Sequence, residues 1–149
     1  MRNDDTATPD ADVSLHVLQP MLENLVDRVP GVLYAVLASR DGLVKPWAGL
    51  EAADAERYSA ALAGLQALAE FVFPDADGLG LHSIEHLRGT FVMVHCRNGA
   101  SPQTAGALLA VMAAPEADLG VVGFEITSWI GSLDEHLTTQ LRKAQADED

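Results

Sequence analysis

The segment LHSIEHLR, Leu81–Arg88, contains the side chains with the clearest potential for chemistry. His82, Glu85 and His86 form the pattern H-x-x-E-H, which one class of zinc peptidases carries on a helix. On a helix, residues four apart share one face, so both imidazoles can bind one metal ion while the glutamate acts as general base. The motif is therefore meaningful only if its local structure is helical.

Glycines on both sides of the motif favour a strand. Gly80 precedes it and Gly89 ends it, which leaves eight residues, too few for the long helix of a zinc peptidase. In a strand the two histidines would stand ~13 Å apart, whereas one zinc ion needs both nitrogens within about 2.1 Å. Glu85 would point to the opposite face. An edge strand with polar residues facing water is the better interpretation.

The composition argues against several functional classes. The 149 residues carry a net charge of −13, which repels phosphate backbones and anionic lipid surfaces, so nucleic-acid binding is not expected. No run of eighteen apolar residues is present, and membrane insertion is not expected either. Cys96 is the single cysteine and fits a reducing, cytoplasmic compartment. Gly78 and Gly80 lack the third glycine of a dinucleotide fingerprint, and we expect no cofactor.

The chain is expected to form one domain between two acidic tails. Residues 1–12 are polar and acidic and predict a disordered tail. Residues 13–144 contain the periodic apolar segments of a single domain, and residues 145–149 form the second tail.

Three helices and five strands are predicted, in the order α-β-β-α-β-β-β-α. The first helix follows a capping residue at Ser14, the second covers about Ala52–Phe73, and the third follows Asp118. Strands 1, 4 and 5 are apolar on both faces and belong in the centre of a sheet, whereas Pro46 places strand 2 at an edge. Short hairpin loops make the strands antiparallel. The predicted fold class is α+β, with a five-stranded sheet in the order 2-1-5-4-3 and helices on both faces.

The predicted elements and four segments together resemble the roadblock family, which includes dynein light chains of roadblock type. The likeness covers roughly residues 15–141 and is closest in character to the roadblock proteins of bacterial conservon operons. The matching segments are L-x-x-L-x-x-x-x-P-G-V at Leu22–Val32, AVLASRDGL at Ala35–Leu43, ERYSAALAGLQALAE at Glu56–Glu70, and LLAVMAAPEADLGVVGFEI at Leu108–Ile126.

This resemblance implies a roadblock/profilin-like fold and a protein without catalytic residues. Related bacterial polarity proteins are dimers that stimulate a Ras-like GTPase, and conservon operons also encode a sensor-kinase-like protein. The implied partners are therefore a second copy of the chain, a small GTPase and a sensor-kinase-like protein. Arg57, near the start of the second helix, is the candidate contact with the GTPase.

The resemblance also implies pairing through strand 3 and helix 2, and the sequence gives a physical reason for it. Lys45 and Pro46 protect the edge of strand 2, whereas strand 3 has no such residue. Helix 2 carries the stripe Leu62, Leu65, Ala69 and Val72 for its own sheet, and a second stripe of smaller residues for its twin. The expected dimer interface consists of Ala60, Ala61, Gly64, Leu68, Phe71, Leu81, Ser83, Glu85 and Leu87.

Three functional hypotheses follow. The leading one is a non-catalytic homodimeric scaffold that binds and regulates a small Ras-like GTPase in a bacterial signalling complex. The alternative is a small-molecule sensor, because similar layers of helices and sheet occur in such modules, but a sensor needs a cavity. The least favoured is a zinc enzyme acting through His82, Glu85 and His86.

Overall fold

A computed structural model describes residues 9–38, 44–74, 79–96 and 107–148. Within them the chain forms three helices and five strands in the predicted order. The elements are α1 (Pro9–Arg28), β1 (Val32–Ala38), β2 (Val44–Ala48), α2 (Ala52–Val72), β3 (Leu79–His86), β4 (Gly89–Cys96), β5 (Leu108–Ala113) and α3 (Leu119–Glu148). Within these ranges, no helix has both the length and the apolar composition of a membrane span.

The five strands form one antiparallel sheet in the order β2-β1-β5-β4-β3, which confirms the predicted arrangement. The strands that are apolar on both faces occupy its centre, because both of their faces are covered. The two edges of the sheet are β2 and β3.

Two apolar layers lie on the two sides of the sheet. The larger one joins the sheet to α1 and α3, and the periodic residues Leu18, Leu22 and Leu25 of α1 are buried in it. The smaller one lies under α2 and centres on Leu62, which packs near Met93 of β4. Side chains of a strand therefore alternate between two distinct layers, except where the register shifts, as between Val32 and Tyr34 of β1.

The helix ends differ from the sequence-based expectation at the N-terminal side. Helix α1 begins at Pro9, so Ser14 lies inside the helix and is not its cap, and residues 9–12 are helical and not part of a disordered tail. Proline is favoured in the first turn of a helix, where its missing N–H has no partner to lose. Helix α3 starts as expected, since Asp118 Oδ1 accepts hydrogen bonds from the Gly120 and Val121 amides at 3.0 and 3.3 Å.

Two features prevent the edge strand β2 from pairing with a further strand. Pro46 lies within the strand and is buried, and a proline has no N–H to offer to another strand. The carbonyl of Trp47 accepts a hydrogen bond of 2.7 Å from Gln19 Nε2 of α1. The backbone at this edge is therefore partly occupied by the chain itself. The hairpin predicted at residues 40–42 lies outside the described residues.

A two-residue turn, Leu87–Arg88, joins β3 to β4. Gly89 follows it with φ of 143°, a backbone conformation that side chains disfavour. The Arg88 amide donates a hydrogen bond of 3.1 Å to His86 Nδ1. Because the chain reverses here, Leu87 lies in the turn and not in the strand, where the sequence had placed it.

Candidate interaction surface of α2 and β3

Helix α2 buries only one of its sides against the sheet. The buried residues are Ala55, Ser59, Leu62 and Gln66, which recur every three or four positions. The predicted inner stripe is thus wrong in part, because Val72 is 55% exposed and two polar residues are buried instead. The apolar face of this alanine-rich helix could not be assigned from periodicity alone, since apolar residues occur all around it.

The opposite side of α2 forms an exposed strip, defined here as Arg57, Ala60, Ala61, Gly64, Leu68 and Phe71. Leu68 is 59% exposed and Phe71 is 83% exposed. No heavy atom lies within 4 Å of the position that a Cβ on Gly64 would take. The middle of the strip is therefore open and flat, which permits the close approach of another helix.

Strand β3 is the other edge of the sheet, and it pairs only with β4 in the described part of the chain. It carries neither proline nor lysine, so its outer row of backbone groups is available for pairing. Leu81 and Ile84 are 50% and 51% exposed, and Leu87 in the following turn is 93% exposed. Seven of the eleven large apolar side chains that are exposed in the described ranges lie at residues 68–73 and 81–87.

All nine residues of the predicted dimer interface are exposed at the surface. Eight of them lie on the strip or on β3, and the ninth, Leu87, lies in the turn beside β3. The interface itself stays a prediction. Its chemistry is apolar at the C-terminal end of the strip and mixed along β3, where Leu81, Ser83 and Glu85 lie on one face and Ile84 lies on the other.

The histidines of the H-x-x-E-H motif lie on a strand, as predicted. His82 pairs with Met93, a residue of the α2 layer, so His82 and His86 lie on that side of the sheet. Glu85 has the opposite parity and lies on the other side. The arrangement of a zinc peptidase, which needs all three groups on one helix, is not formed. Among the described residues, no three His, Cys, Asp or Glu side chains are grouped as metal ligands.

Arg57 lies at the N-terminal end of the strip and is largely exposed. Its guanidinium donates to Asp54 Oδ1 at 3.2 Å and stands 5.2 Å from the ring centre of Tyr58. Tyr58 in turn stacks on Tyr34 with ring centres 5.3 Å apart. Burial and the neighbouring Tyr58 hydroxyl raise the pKa of Tyr34 above its usual value. Arg57 is thus oriented along the surface of α2 by local contacts.

A buried polar group lies beneath α2, and the sequence analysis missed it. Gln66 and His95 are 5% and 3% exposed, and Gln66 Nε2 lies 3.0 Å from His95 Nδ1. The same amide donates to Glu70 Oε2 at 3.1 Å. A glutamine among alanines and a histidine in an apolar strand are weak signals separately. They indicate a site only when the fold brings them together, because a buried amide needs a partner.

A groove of about 390 Å³ separates α1 from α3. Trp129 and Met21 form its apolar part, and the indole of Trp129 donates to the Met21 carbonyl at 3.3 Å. Arg28 lies at the groove and forms an ion pair with Glu125. This groove is an open surface feature whose apolar wall is part of the larger layer, since Trp129 belongs to that layer and Met21 packs against it.

Comparisons with known proteins agree with this architecture. The sequence profile of the Roadblock/LC7 domain matches residues 18–100. Comparison with proteins of curated function finds no significant match.

Solved structures of Roadblock/LC7 domains and of MglB are similar to this chain in fold. A Roadblock/LC7 domain from Streptomyces avermitilis is 32% identical, with a TM-score of 0.65 over 80% of this chain and 97% of that one. A second Roadblock/LC7 domain from that organism is 34% identical, with a TM-score of 0.58 over 77% and 96% of the two chains. MglB from Myxococcus xanthus is 17% identical, with a TM-score of 0.63 over 82% and 95%, a likeness of fold alone. With more than half of its residues matched by the profile, the chain belongs to the Roadblock/LC7 family.

Proposed function

We propose that this protein is a non-catalytic homodimeric scaffold that binds and regulates a small Ras-like GTPase in a cytoplasmic bacterial signalling complex. The observation that supports it most directly is the exposed strip of α2 together with the unprotected edge β3. Two surfaces that have no partner within the described residues, separated by only six residues of sequence, are well suited to meet their own copies.

Apolar burial alone does not account for a stable dimer. Burying Leu68 and Phe71 in both copies would contribute about 6–12 kcal/mol in total, at about 1.5–3 kcal/mol for each side chain. Association itself costs about 4–15 kcal/mol in lost freedom of motion. Backbone pairing between the two β3 strands therefore has to add to the apolar contacts of the strip. The expected dimer joins two five-stranded sheets into one of ten strands.

The small residues of the strip determine how closely the two helices can approach. Ala60, Ala61 and Gly64 present almost no side-chain volume, so two copies of α2 can pack with their backbones near each other. Close packing restores the dispersion contacts that an exposed glycine lacks. Light scattering at micromolar concentration tests the dimer, and a strictly monomeric particle would overturn it.

The GTPase partner rests on the family likeness. The resulting dimer offers a broad two-fold surface suited to docking. A regulator of this kind acts by ordering the switch loops of the GTPase. The test is GTP turnover by a small Ras-like GTPase from the same organism, with and without the dimer, combined with a pull-down. Absence of both binding and a rate change would refute this part of the proposal.

Arg57 is the residue to vary in that assay. An arginine finger contributes about 10³–10⁵-fold to turnover, whereas an exposed ion pair such as Arg57–Asp54 contributes about 1 kcal/mol or less to stability. We expect Arg57→Ala to weaken GTPase stimulation by less than tenfold, as for a docking contact. A loss of about 10³-fold would assign Arg57 a direct role at the transferred phosphate. Arg28→Ala is the matched control, because Arg28 is also exposed and also forms an ion pair, with Glu125, but lies on α1 away from the strip and β3.

The sensor alternative would use the groove between α1 and α3. Its apolar part, Trp129 and Met21, could contact a small ligand. A ligand-dependent increase in melting temperature that Trp129→Ala abolishes would support this alternative.

A further inference from the structure

We propose that the dimer binds divalent transition-metal ions between its two β3 strands, each ion held by His82 of one copy and His86 of the partner subunit. This inference rests on the homodimer proposed above. It assigns a role to the two histidines that a single chain cannot use together, since they stand ~13 Å apart along one strand.

Symmetry limits how two copies of β3 can pair. Directly opposite residues of an antiparallel pair have their side chains on the same side of the sheet. A two-fold axis perpendicular to the sheet also keeps each side chain on its own side. Paired residues must therefore both have odd numbers or both have even numbers. The residue nearest the two-fold axis then lies directly opposite its own copy, and we name each possible axis after that residue.

Four positions near the middle of β3 can lie on that axis, and side-chain chemistry favours one of them. An axis through Glu85 places two carboxylates opposite each other, which is destabilising. An axis through Ser83 pairs Leu81 with Glu85, and an axis through His82 pairs Leu81 with Ser83. Each of the last two arrangements opposes an apolar side chain with a polar one.

An axis through Ile84 gives complementary pairs throughout. Ile84 meets its own copy, and Ser83 meets Glu85 of the partner subunit, where a hydroxyl can donate to a carboxylate. Leu81 lies opposite the turn residue Leu87 of the partner subunit. In this register His82 lies opposite His86 of the partner subunit, and symmetry produces two such histidine pairs in each dimer.

The geometry of opposite residues suits a shared ion. Directly paired residues have Cβ atoms about 4.5–5.5 Å apart, which lets two imidazoles reach one metal ion at about 2.0–2.1 Å. Both histidines lie on the α2 side of the sheet, because His82 pairs with Met93 of that layer. The ring of His82 lies over Gly80, with Nε2 3.6 Å from where a Cβ of that glycine would be, so no side chain there blocks it.

The site is expected to be weaker than a structural zinc centre. His86 Nδ1 accepts a hydrogen bond from the Arg88 amide at 3.1 Å, so this nitrogen carries no proton while the bond exists. Coordination through Nε2 shifts the proton to Nδ1 and breaks that bond. Two protein ligands leave the remaining positions to water. Imidazole suits Zn²⁺, Ni²⁺ and Cu²⁺, whereas Mg²⁺ prefers oxygen ligands.

The test measures the dimer dissociation constant by sedimentation, in EDTA and with Zn²⁺, Ni²⁺ or Mg²⁺. An ion present at ten times its own dissociation constant tightens the dimer about tenfold per site, hence about 100-fold for two sites. We expect that effect with Zn²⁺ and Ni²⁺ and none with Mg²⁺. Each variant is compared with its own dissociation constant in EDTA. Glu85→Gln changes the contact with Ser83 of the partner subunit and can shift that baseline, but it is expected to keep the same ratio of tightening by Zn²⁺, which separates this site from the peptidase motif.

Mixing two variants tests whether the ion bridges two copies. His82→Gln and His86→Gln each leave no complete pair in their own homodimers, so neither should respond to Zn²⁺. A heterodimer of the two variants contains one complete pair, from His86 of the first chain and His82 of the second. We expect mixing to restore a tightening of about tenfold. A site within one chain would not be restored by mixing.

The outcomes separate this inference from the proposed dimer. A chain that stays monomeric in EDTA and in Zn²⁺ overturns both. A dimer in EDTA that Zn²⁺ does not tighten, or a mixture of variants without restored response, overturns the metal site and leaves the homodimer intact. Circular dichroism is used to check that each variant is folded, which is expected because both histidines lie on the edge strand β3.

Discussion

Gly64 provides the sharpest test of the α2 interface, because the same substitution should act in opposite directions on folding and on association. Gly64 lies mid-helix without a positive φ, and no atom lies within 4 Å of a Cβ placed there. In a single chain Gly64→Ala should therefore be accommodated without strain. In a dimer with closely packed α2 helices, each added methyl group would meet the other helix.

The magnitudes can be worked from helix propensity and packing. Alanine is favoured over glycine in a helix interior by about 1 kcal/mol, which raises the melting temperature of a chain of this size by about 2–4 °C. Inserting a methylene into a close-packed contact costs about 1–3 kcal/mol, and a tenfold change in an equilibrium constant corresponds to about 1.4 kcal/mol. Gly64→Ala should thus stabilise the monomer and weaken the dimer about 5–150-fold.

Two measurements separate these effects. Urea unfolding at concentrations where the chain is monomeric gives the free energy of unfolding of the single chain. Sedimentation across a concentration series gives the dimer dissociation constant. Gly131→Ala in α3 is the matched control, because that glycine is also exposed and also has no atom within 4 Å of the position that a Cβ would take. It should give the same gain in folding stability without a change in association.

The reasoning is refuted if Gly64→Ala associates as tightly as the wild-type chain while stabilising the fold. That result would leave the strip of α2 as a solvent-exposed surface and remove the close helix contact from the proposed dimer. An equal weakening by Gly131→Ala would show that the effect does not report on the α2 contact.

Three further predictions concern other parts of the fold. Phe71→Asp should weaken the dimer at least about 100-fold in sedimentation, since two phenylalanines worth about 1.5–3 kcal/mol each leave the interface, with monomer stability within about 0.5 kcal/mol. Gly89→Ala should lower the free energy of unfolding by about 2 kcal/mol or more, measured in urea, because φ is 143° and a Cβ would overlap the Ala113 carbonyl. The raised pKa of Tyr34 means that its contribution to stability is complete below about pH 10 and falls as pH rises further. Tyr34→Phe should flatten that loss in unfolding measurements between about pH 10 and 12, and an unchanged slope would contradict the assignment.

The arrangement of the sheet could be predicted because each step depends on local pattern. Short loops force antiparallel neighbours, Pro46 forces β2 to an edge, and strands apolar on both faces belong in the centre. The exposure of the predicted interface followed from the same logic, since a second apolar stripe on α2 has no place against its own sheet.

Helix α2 marks the limit of this logic. Its alanine-rich sequence offers several faces of similar apolarity, so the buried side depends on small differences that periodicity does not resolve. Gln66 could be buried because His95 of β4 is in place to accept its amide hydrogen at 3.0 Å. The two residues are 29 positions apart in the sequence, so their contact could not be predicted before the packing of α2 on the sheet was known.

The family, the order of the elements and the extended backbone at His82–His86 could be read from the sequence, because glycine positions and hydrophobic periods act within a few residues. Tertiary packing was needed to show which side of α2 faces the sheet, and that Leu87 belongs to a turn. It also placed both histidines on the α2 side of β3. These outcomes depend on contacts between segments far apart in the chain. Such contacts stabilise the fold only once the helices have packed on the sheet, so no local sequence pattern reports on them.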